Sequence, residues 1–212
     1  MACDEVLITT TSVAVLRLFL WKGPWVSAGY FTDRGEATKA RPDLPFCRRW
    51  TGGGVVAHDG DFTYSLIVPR RVSLGAIKPD KSYLLIHSAL ALALRARGVV
   101  AGLFSEKSPA AAECFAGAVQ HDLVLGGTKI AGGAQRRTSH GLLHQGSVQC
   151  KTGLGRDFGI AFARALAVCV GEWTPPAGFE KSVEKLAMDK YASKEFLLGP
   201  RAAKDFTAGA RA

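Results

Sequence analysis

Short apolar segments separated by turn residues dominate this sequence and restrict the folds that it can adopt. Val13–Trp21 and Trp25–Phe31 flank a Lys-Gly-Pro turn. Asp122–Leu125 and Lys129–Arg137 flank a pair of glycines. Apolar runs of this length that adjoin across turn residues are typical of β-hairpins. We therefore predict a central sheet that is mostly antiparallel or mixed.

Further strand-like segments alternate with helical ones along the chain. The remaining strand candidates are Leu44–Trp50, Val55–Ala57, Phe62–Val68, Val99–Phe104 and Leu142–Cys150. The helix candidates are Met1–Thr11, Leu84–Ala96 with Asp80 as its N-cap and Gly98 as its end, Phe158–Val170 with Asp157 as its N-cap, and Glu180–Tyr191. Paired strands with interspersed helices predict an α+β (mixed α/β) fold with flanking helices. We expect one domain over residues 1–198 and a flexible tail over 199–212.

The composition excludes several classes of protein. Apolar residues make up 48% of the 212 residues, so the chain can bury a core and is not a disordered polymer. The 27 basic and 18 acidic residues give a net charge of +9, which favours an acidic partner. Five cysteines without a C-x-x-C pair argue against a disulfide scaffold. No apolar run reaches the ~20 residues that cross a bilayer, so we expect a cytoplasmic protein without a membrane partner.

Three consecutive glycines follow two arginines in the segment Arg48–Asp59. Glycines leave backbone N–H groups uncovered, so an anion or a flat acyl group can approach closely, and the arginines supply fixed positive charge. A flexible hairpin turn is the alternative interpretation. The chain contains no G-x-x-x-x-G-K-[ST] string, which excludes a P-loop nucleotidase.

Three further residues could carry chemistry. Lys129 stands between small and apolar residues, where its ammonium could hold a carboxyl, carbonyl or phosphate oxygen, or could simply be exposed in a hairpin. His140 and His144 have the spacing of a metal pair, but no H-E-x-x-H glutamate accompanies them and nearby glycines disfavour a helix. We predict no metal site. The absence of G-x-S-x-G and C-x-x-C gives no support to a hydrolase or a thioredoxin.

Cys114 has two opposed interpretations. A lone cysteine is usually a small buried apolar residue. Its neighbour Glu113 disfavours the thiolate, whereas a cation such as Lys129, if the fold brings it close, favours the thiolate and a nucleophilic role. Distance along the sequence leaves both interpretations open.

Five blocks, in order along the chain, resemble the biotin/lipoate protein ligase superfamily, and within it the branch of lipoate-protein ligases and octanoyltransferases. Arg48–Asp59 resembles the R-R-x-[ST]-G-G-x-x-V-x-H-D loop of that branch, and Asp122–Arg137 resembles its D-x-x-x-x-G-x-K-I-x-G-x-A-Q-x-R segment. Trp25–Phe31, Gly141–Ser147 and Lys190–Phe196 are similar to its S-x-G-Y-F strand, its G-x-x-x-H-G-S strand and its terminal K-Y-x-[ST]-x-E-W.

The resemblance implies a class II biotin/lipoate ligase-like catalytic domain. Lys129 would contact the acyl carbonyl, and Cys114 would match the Cys-Phe of octanoyltransferases that form an acyl-enzyme. The residues that would border the acyl or nucleotide group are Arg49, Thr51, Gly52, Gly53, Gly54, Val55, Val56, Ala57, His58, Gly132, Gln135 and His144. The family pattern opens with a strand before N-M-A-x-D-E, and this chain begins at Met1, so we expect that strand to lie upstream of the chain.

The resemblance leaves two reactions open. A ligase must activate a free carboxylate with ATP and Mg²⁺, and the glycine run Gly52–Gly54 looks more like the ligases. An acyl thioester on acyl carrier protein is already activated, so a transferase needs a nucleophile such as Cys114 and no cofactor. We favour the transferase, with acyl carrier protein and lipoyl-domain proteins as acidic partners. A non-catalytic acyl- or carrier-binding module is a third possibility. A nucleic-acid binder is motivated only by charge, and no aromatic-basic interleaving supports it.

Overall fold

The computed structural model describes residues 1–106, 115–150 and 153–200 and combines two sheets with several helices. The strands are β1 (Val15–Phe19), β2 (Trp25–Ala28), β3 (Phe46–Arg48), β4 (Val55–His58), β5 (Phe62–Pro69), β6 (Gly102–Leu103), β7 (Leu123–Leu125), β8 (Thr128–Arg137) and β9 (Gly141–Val148). The helices are α1 (Ala2–Thr10), α2 (Arg34–Thr38), α3 (Ser73–Ala76), α4 (Pro79–Arg95), α5 (Arg156–Leu166), α6 (Phe179–Leu186) and α7 (Lys194–Leu198), with a π-helical turn at Ala187–Tyr191.

The large sheet has six strands in the order β1-β5-β9-β8-β7-β6, and every neighbouring pair is antiparallel. The small sheet has the order β3-β2-β4, with β2 parallel to β3 and antiparallel to β4. The predicted α+β architecture with a mostly antiparallel or mixed sheet is confirmed.

Helices cover both faces of the large sheet. Successive strand residues point to opposite faces, and the two apolar clusters follow this alternation. Leu66 and Leu142 pack with α4 and α5, whereas Ile67 and Leu143 pack with α1 and α6. Strands β5 and β9 are therefore buried along their whole length.

The ends of several elements differ from the sequence-based expectation. Helix α4 begins at Pro79, so Lys78 occupies the N-cap position and Asp80 lies in the first turn. Helix α5 likewise begins before Asp157 and ends at Leu166. A strand was expected over Val99–Phe104, but only the two residues of β6 form one. The helix expected at Glu180–Tyr191 ends at Leu186 and is followed by the π-helical turn.

Helix α2 was not predicted. Its N-cap is Asp33, whose side chain accepts a hydrogen bond from the backbone N–H of Glu36, a local signal that the sequence contains. Among the described residues, no helix has both the length and the apolar character needed to cross a membrane. The described cysteines Cys3, Cys47, Cys150 and Cys169 are free thiols.

Arg48 joins the C-terminal helix to the loop that follows β2. Its guanidinium is 1% exposed and donates only to backbone carbonyls in the described contacts, those of Gly29, Tyr30, Thr32, Leu197 and Leu198. Burial lowers the pKa of Arg48 from its usual value. These carbonyl dipoles therefore stabilise a desolvated cation and fix α7 against the loop.

The loop after β2 also passes unusually close to the three-glycine segment. The N–H of Gly29 donates to the carbonyl of Gly54 at 3.2 Å, and a Cβ at Gly29 would lie 1.9 Å from the oxygen of Gly53. No side chain fits between these backbones, so glycine at position 29 is required by the packing.

We predict that Gly29→Ala destabilises the protein by about 1–3 kcal/mol or more, because the added methyl group must displace backbone atoms. Gly52→Ala is the matched control, since a Cβ at Gly52 meets no atom within 4 Å. Chemical denaturation of both variants measures the difference. Equal free energies of unfolding for the two variants would contradict this account of the packing.

Two buried histidines lie in the core beneath β8 and β9. The Nδ1–H of His87 donates to the carbonyl of His121 at 2.7 Å, and its Nε2 is buried without a partner among the described atoms. Burial lowers the pKa of His87 to about 4 and holds the pKa of His144 well below its usual range. Protonation of His87 would place a second N–H in the core without an acceptor.

We predict that the protein loses stability as the pH falls from about 6.5 towards 4. A histidine whose folded pKa is depressed stabilises the fold fully above its unfolded pKa, and this stability is lost as the pH falls towards the folded pKa. His87→Asn keeps a donor for the His121 carbonyl but does not titrate. It should reduce the pH dependence of the unfolding free energy by up to about 1.4 kcal/mol per pH unit, whereas the exposed-site variant His140→Asn should not. Parallel curves for His87→Asn and the unmodified protein would refute the assignment.

Candidate functional site

A narrow cavity lies where residues of the two sheets and of α1 meet. The residues that line it are Met1, Phe19, Trp21, Arg49, Val56, His58, Thr63, Phe115, Lys129, Gly132, Gly133, Ala134, Gln145, Gly146 and Ser147. The lining of the cavity thus consists of aromatic rings, small residues and a few polar groups. This composition is typical of a site that holds an apolar ligand in a fixed orientation.

Strand register defines the floor of the cavity. Phe19 pairs with Thr63, Thr63 with Ser147, and Ser147 with Gly132, so these four residues form one row across β1, β5, β9 and β8. Adjacent strands are ~4.8 Å apart, so the row spans about 14 Å. The cavity floor is therefore elongated, with Lys129 beside its β8 end and the Trp21 indole hydrogen-bonded to Thr63 on β5.

The Lys129 ammonium forms the polar feature at the β8 end. Its Nζ lies 2.7 Å from Oδ2 of Asp122, and the two side chains are 8% and 0% exposed. The ring centroid of Phe115 is 5.2 Å from the same Nζ. A Cβ at Gly132 would lie 2.8 Å from Nζ, so this glycine lets the lysine fold over β8. The ammonium is thus desolvated, paired and held at the cavity.

Asp122 pairs with Lys129, and both of its carboxylate oxygens accept hydrogen bonds from other groups. Oδ2 also accepts the backbone N–H of Val119 at 2.8 Å, and Oδ1 accepts the hydroxyl of Tyr83 at 2.6 Å. Buried charges are tolerated when they are paired and hydrogen-bonded in this way. Asp122 therefore fixes both the position and the charge compensation of Lys129.

Arg49 connects the cavity wall to the three-glycine segment. Its Nη1 donates to Oγ of Ser27 at 2.6 Å, and its Nη2 donates to the carbonyls of Gly54 at 2.8 Å and Gly52 at 3.4 Å. The side chain is buried. Arg49 consequently holds the glycine segment in its curved path through backbone carbonyls.

A chain of hydrogen bonds continues behind Arg49. Oγ of Ser27 lies 2.7 Å from Nε2 of His58, and Nδ1 of His58 lies 2.8 Å from Oδ2 of Asp61. Oγ of Ser27 accepts from Arg49, and the Nδ1–H of His58 donates to Asp61. The arrangement therefore links Arg49 to Asp61 through Ser27 and His58 and fixes the orientation of the imidazole ring.

Asp61 anchors this chain to the large sheet. The hydroxyls of Thr63 and Ser147 donate to its Oδ2. Burial alone would raise the pKa of Asp61, but the hydrogen bonds from His58, Ser147 and Thr63 outweigh burial and hold it below its usual value. Asp61 remains a carboxylate that joins β4, β5 and β9.

The β1 end of the cavity is closed by aromatic rings. The indole of Trp21 stacks on His58, with ring centroids 4.1 Å apart, and its N–H donates to Oγ1 of Thr63 at 3.0 Å. Phe19 stands beside it, with ring centroids 6.0 Å apart. These contacts fix Trp21 as the end wall.

Helix α1 contributes a third buried carboxylate near the cavity. Asp4 accepts hydrogen bonds from Arg17, Ser65 and Gln145. The Oε1 of Gln145 in turn accepts the hydroxyl of Thr51 at 2.7 Å. The start of α1, the large sheet and the glycine segment are thus joined by one polar network.

The residues expected to border the ligand fall into two groups. Arg49, Val56, His58, Lys129 and Gly132 line the cavity. The others lie beside or behind its wall: Thr51, Gly52, Gly53, Gly54, Val55, Ala57, Gln135 and His144. Gln135 and His144 contact each other, and His144 contacts Tyr64, on the core side of the sheet.

Cys114 lies outside the described residues, but the next residue, Phe115, lines the cavity beside Lys129. His140 is exposed and His144 is buried, so they do not form a surface pair. Among residues 1–106, 115–150 and 153–200, no group of three or more His, Cys, Asp or Glu side chains could hold a metal ion.

Several site residues were not singled out from the sequence as site residues. They are Met1, Asp4, Phe19, Trp21, Ser27, Asp61, Thr63, Tyr83, Phe115, Asp122 and Ser147. Asp4, Ser27, Phe115, Asp122 and Ser147 lie in segments that the family resemblance already covers, so their positions were usable signals. The others meet the site through long-range pairing of strands and helices.

Comparisons with known proteins agree with this geometry. The model of the lipoyl protein ligase A/B catalytic domain family matches residues 1–188. Octanoyltransferase LipM from Moorella thermoacetica is 33% identical over 164 residues, which cover 70% of this chain and 59% of the relative. The chain thus spans about three fifths of the length of this curated relative.

Solved structures show the same fold. A lipoate protein ligase from T. acidophilum with bound lipoic acid superimposes with a TM-score of 0.76 at 20% identity, covering 94% of this chain and 92% of that one. Lipoate-protein ligase A bound with ATP gives a TM-score of 0.73 at 20% identity, covering 93% and 92%. The branch indicated by the sequence motifs is confirmed: this chain belongs to the lipoyl protein ligase A/B catalytic domain family.

Proposed function

We propose that this chain is an acyltransferase of protein lipoylation, which moves an octanoyl or lipoyl group from acyl carrier protein to a lysine of a lipoyl domain. In this proposal, Cys114 carries the acyl group as a thioester between the two steps. Lys129 contacts the acyl carbonyl, and the elongated cavity holds the acyl chain.

One observation carries the proposal: a buried ammonium and Phe115 meet at one end of an apolar cavity. Lys129 Nζ lies 5.2 Å from the Phe115 ring centroid. Cys114 is bonded to Phe115, which supports a role for its thiol at the same end. The match to an octanoyltransferase over 70% of this chain supports the same reaction class.

The row of residues that forms the cavity floor is long enough for an extended acyl chain. Eight carbons joined by C–C bonds of ~1.5 Å span roughly 9 Å. The row from Gly132 to Phe19 crosses three strand spacings, about 14 Å. The difference leaves room for contact distances at the carbonyl and at the methyl end. An octanoyl chain would thus extend from Lys129 towards Trp21.

The proposed reaction has two steps that balance. In the first, the sulfur of Cys114 bonds to the acyl carbon, the bond from that carbon to the carrier sulfur breaks, and the thiol proton ends on the carrier sulfur. In the second, the amine of the acceptor lysine bonds to the acyl carbon, the Cys114 bond breaks, and an amine proton returns to the thiol. No nucleotide is required, because the donor is already a thioester.

Lys129 would assist both steps. Negative charge develops on the carbonyl oxygen in each tetrahedral intermediate, and a preorganised cation stabilises it most effectively where water is excluded. The ion pair with Asp122 keeps the ammonium in place before the substrate arrives. The net charge of +9 would favour encounter with acidic acyl carrier proteins and lipoyl domains.

The second candidate is an ATP-dependent lipoate-protein ligase that forms an acyl-adenylate. The uninterrupted glycines Gly52–Gly54 favour it, and a ligase bound with ATP shares the fold. Arg49 already holds this glycine segment beside the cavity. In that reaction, Lys129 would contact the α-phosphate as well as the acyl carbonyl.

The decisive experiment mixes the protein with octanoyl acyl carrier protein and measures its intact mass. We expect a hydroxylamine-labile octanoyl adduct that Cys114→Ser abolishes, together with loss of transfer to a lipoyl domain. Cys169→Ser is the matched control, because Cys169 is an exposed free thiol away from the cavity. It should retain the adduct and the transfer.

Parallel reactions with free lipoate and ATP distinguish the alternatives. Full activity of Cys114→Ser, with consumption of ATP and lipoate, would replace the transferase with the ligase. Binding of the carrier without modification of any lipoyl-domain lysine, whatever donor is offered, would leave a non-catalytic binding module.

Trp21 should limit the length of the acyl chain. We predict that Trp21→Leu raises transfer of decanoyl relative to octanoyl groups by roughly ten-fold, the effect that one or two methylenes have in an apolar pocket. Competition between the two acyl carrier thioesters, followed by mass spectrometry of the lipoyl domain, measures the ratio.

Trp25→Leu is the control for this prediction. The Trp25 ring contacts that of Trp21 at a centroid distance of 5.7 Å, but it does not line the cavity. Its decanoyl-to-octanoyl ratio should match that of the unmodified protein. A shift of the same size in both variants would mean that Trp21 is not an end wall.

A further inference from the structure

Tyr83 lies outside the cavity wall but is joined to its main cationic group by two contacts. Its hydroxyl donates to Oδ1 of Asp122 at 2.6 Å, and Oδ2 of Asp122 holds Lys129 at 2.7 Å. The residue comes from α4, whereas Asp122 directly precedes β7 and Lys129 lies in β8. A helix on the core side of the sheet thus reaches the β8 end of the cavity, where Lys129 lies.

The position of Tyr83 follows from an irregular sheet edge. Strand β7 pairs with β8 only as far as Leu123 opposite Ala131. Beyond that point, no described strand pairs with β8 on this side. The N–H of Gly133 donates to the Tyr83 hydroxyl at 2.9 Å instead, and the Gly133 carbonyl lies 3.2 Å from it. The hydroxyl therefore takes the place of a missing strand residue and is held by the backbone.

The donors and acceptors around the Tyr83 hydroxyl determine the direction of its hydrogen bond to Asp122. The hydroxyl has one proton and already accepts from Gly133, so the proton points to the nearer acceptor, Oδ1 of Asp122. Burial, reinforced by the charge of Asp122, raises the pKa of Tyr83 well above its usual value. Tyr83 thus remains a donor, and Oδ2 of Asp122 is left to the Val119 N–H and Lys129.

We propose that Tyr83 is a positioning residue for Lys129. By holding one oxygen of Asp122 against the backbone of β8, it directs the other oxygen, and with it the ammonium, at the acyl carbonyl. This inference rests on the proposed function in one respect, that Lys129 is the group that contacts the carbonyl.

Loss of the Tyr83 hydroxyl should slow the chemical step rather than weaken binding. Misplacing a group that stabilises developing charge by about 1 Å can cost ~10²-fold in rate. In the proposed binding mode, the acyl chain lies along the row from Gly132 to Phe19 and against Trp21, and none of the described hydrogen bonds of Tyr83 is made to these residues. The expected signature is a lower kcat with a nearly unchanged KM for the acyl donor.

The test compares Tyr83→Phe with Tyr64→Phe. Tyr64 is also a tyrosine of the core, but its hydroxyl bonds to His144 and makes no hydrogen bond to Asp122. We expect kcat for octanoyl transfer to fall roughly 10- to 100-fold in Tyr83→Phe, with KM within about three-fold. Tyr64→Phe should keep kcat within about three-fold. Thermal unfolding establishes that both variants are folded at the assay temperature.

A double-mutant cycle separates positioning from a general structural effect. If Tyr83 acts through Lys129, Tyr83→Phe causes no further loss in a Lys129→Ala background. Equal losses in both backgrounds, or a change confined to KM, would overturn the proposal.

A chemical measurement tests the proposal without relying on transfer. Acetylation of lysines by a dilute amine-reactive ester, followed by peptide mass spectrometry, reports how freely the Lys129 amine leaves its partner. Relative to the exposed Lys181, labelling of Lys129 should rise several-fold in Tyr83→Phe and not in Tyr64→Phe. Unchanged labelling would overturn the positioning role. If labelling rises but the unmodified protein transfers no acyl group, the proposed function fails and the positioning role stands.

Discussion

The arrangement of the cavity depends on keeping a buried positive charge compensated. Removing an ammonium and a carboxylate from water costs several kcal/mol per ion, and their attraction offsets this only if the remaining hydrogen-bonding positions are filled. Lys129 and Asp122 meet this condition, because the carboxylate also receives Tyr83 and the Val119 N–H. Gly132 provides the space. The ion pair thus accounts for Tyr83 on α4, for Asp122 before β7 and for Gly132 on β8.

The other buried carboxylates are also hydrogen-bonded and hold the remaining walls, although Oδ1 of Asp61 has no hydrogen-bond partner among the described atoms. Asp4 joins α1 to the large sheet through Arg17, Ser65 and Gln145. Asp61 joins the small sheet to the large one, since it receives His58 from β4 and two hydroxyls from β5 and β9. The cavity surface is largely apolar, but its shape is fixed by charged groups just behind that surface. Hydrogen-bond networks of this kind rigidify a site.

Local sequence signals were sufficient for most of the fold. Hairpin spacing and helix-forming runs predicted the strands of the large sheet and the long helix α4, because each pattern is complete within a few residues. The Asp33 cap of α2 was also local, but the helix has only five residues and no apolar period to reveal it. The shortening of the segment Val99–Phe104 to β6 is a tertiary effect, since β6 pairs only with Leu123 and Val124 of the short strand β7.

The candidate site was predictable only in part, because contact there depends on strand register. A shift of one residue moves a side chain to the other face of a sheet. Gly132 therefore lies on the cavity floor, whereas Gln135 pairs with His144 on the core side. The family motifs contain Gly132, Gln135 and His144 but do not indicate which face of the sheet each residue occupies. Partners such as Asp4 and Gln145 are 141 positions apart, and no spacing rule connects them.

The hydrogen bonds of Ser27, His58 and Asp61 have the order of a hydrolytic triad, but their surroundings favour a different role. A nucleophilic serine must reach the substrate carbonyl, and Ser27 is fully buried and absent from the described cavity wall. Its oxygen accepts a charged donor from Arg49, which lowers its nucleophilicity.

Proton transfer from Ser27 to His58 would also place an imidazolium beside that guanidinium, and like charges in a desolvated site repel strongly. The chain of hydrogen bonds instead fixes Arg49, and through it the carbonyls of Gly52 and Gly54. A rigid wall without a second nucleophile suits the proposed transfer of an acyl group from a thioester to an amine rather than to water.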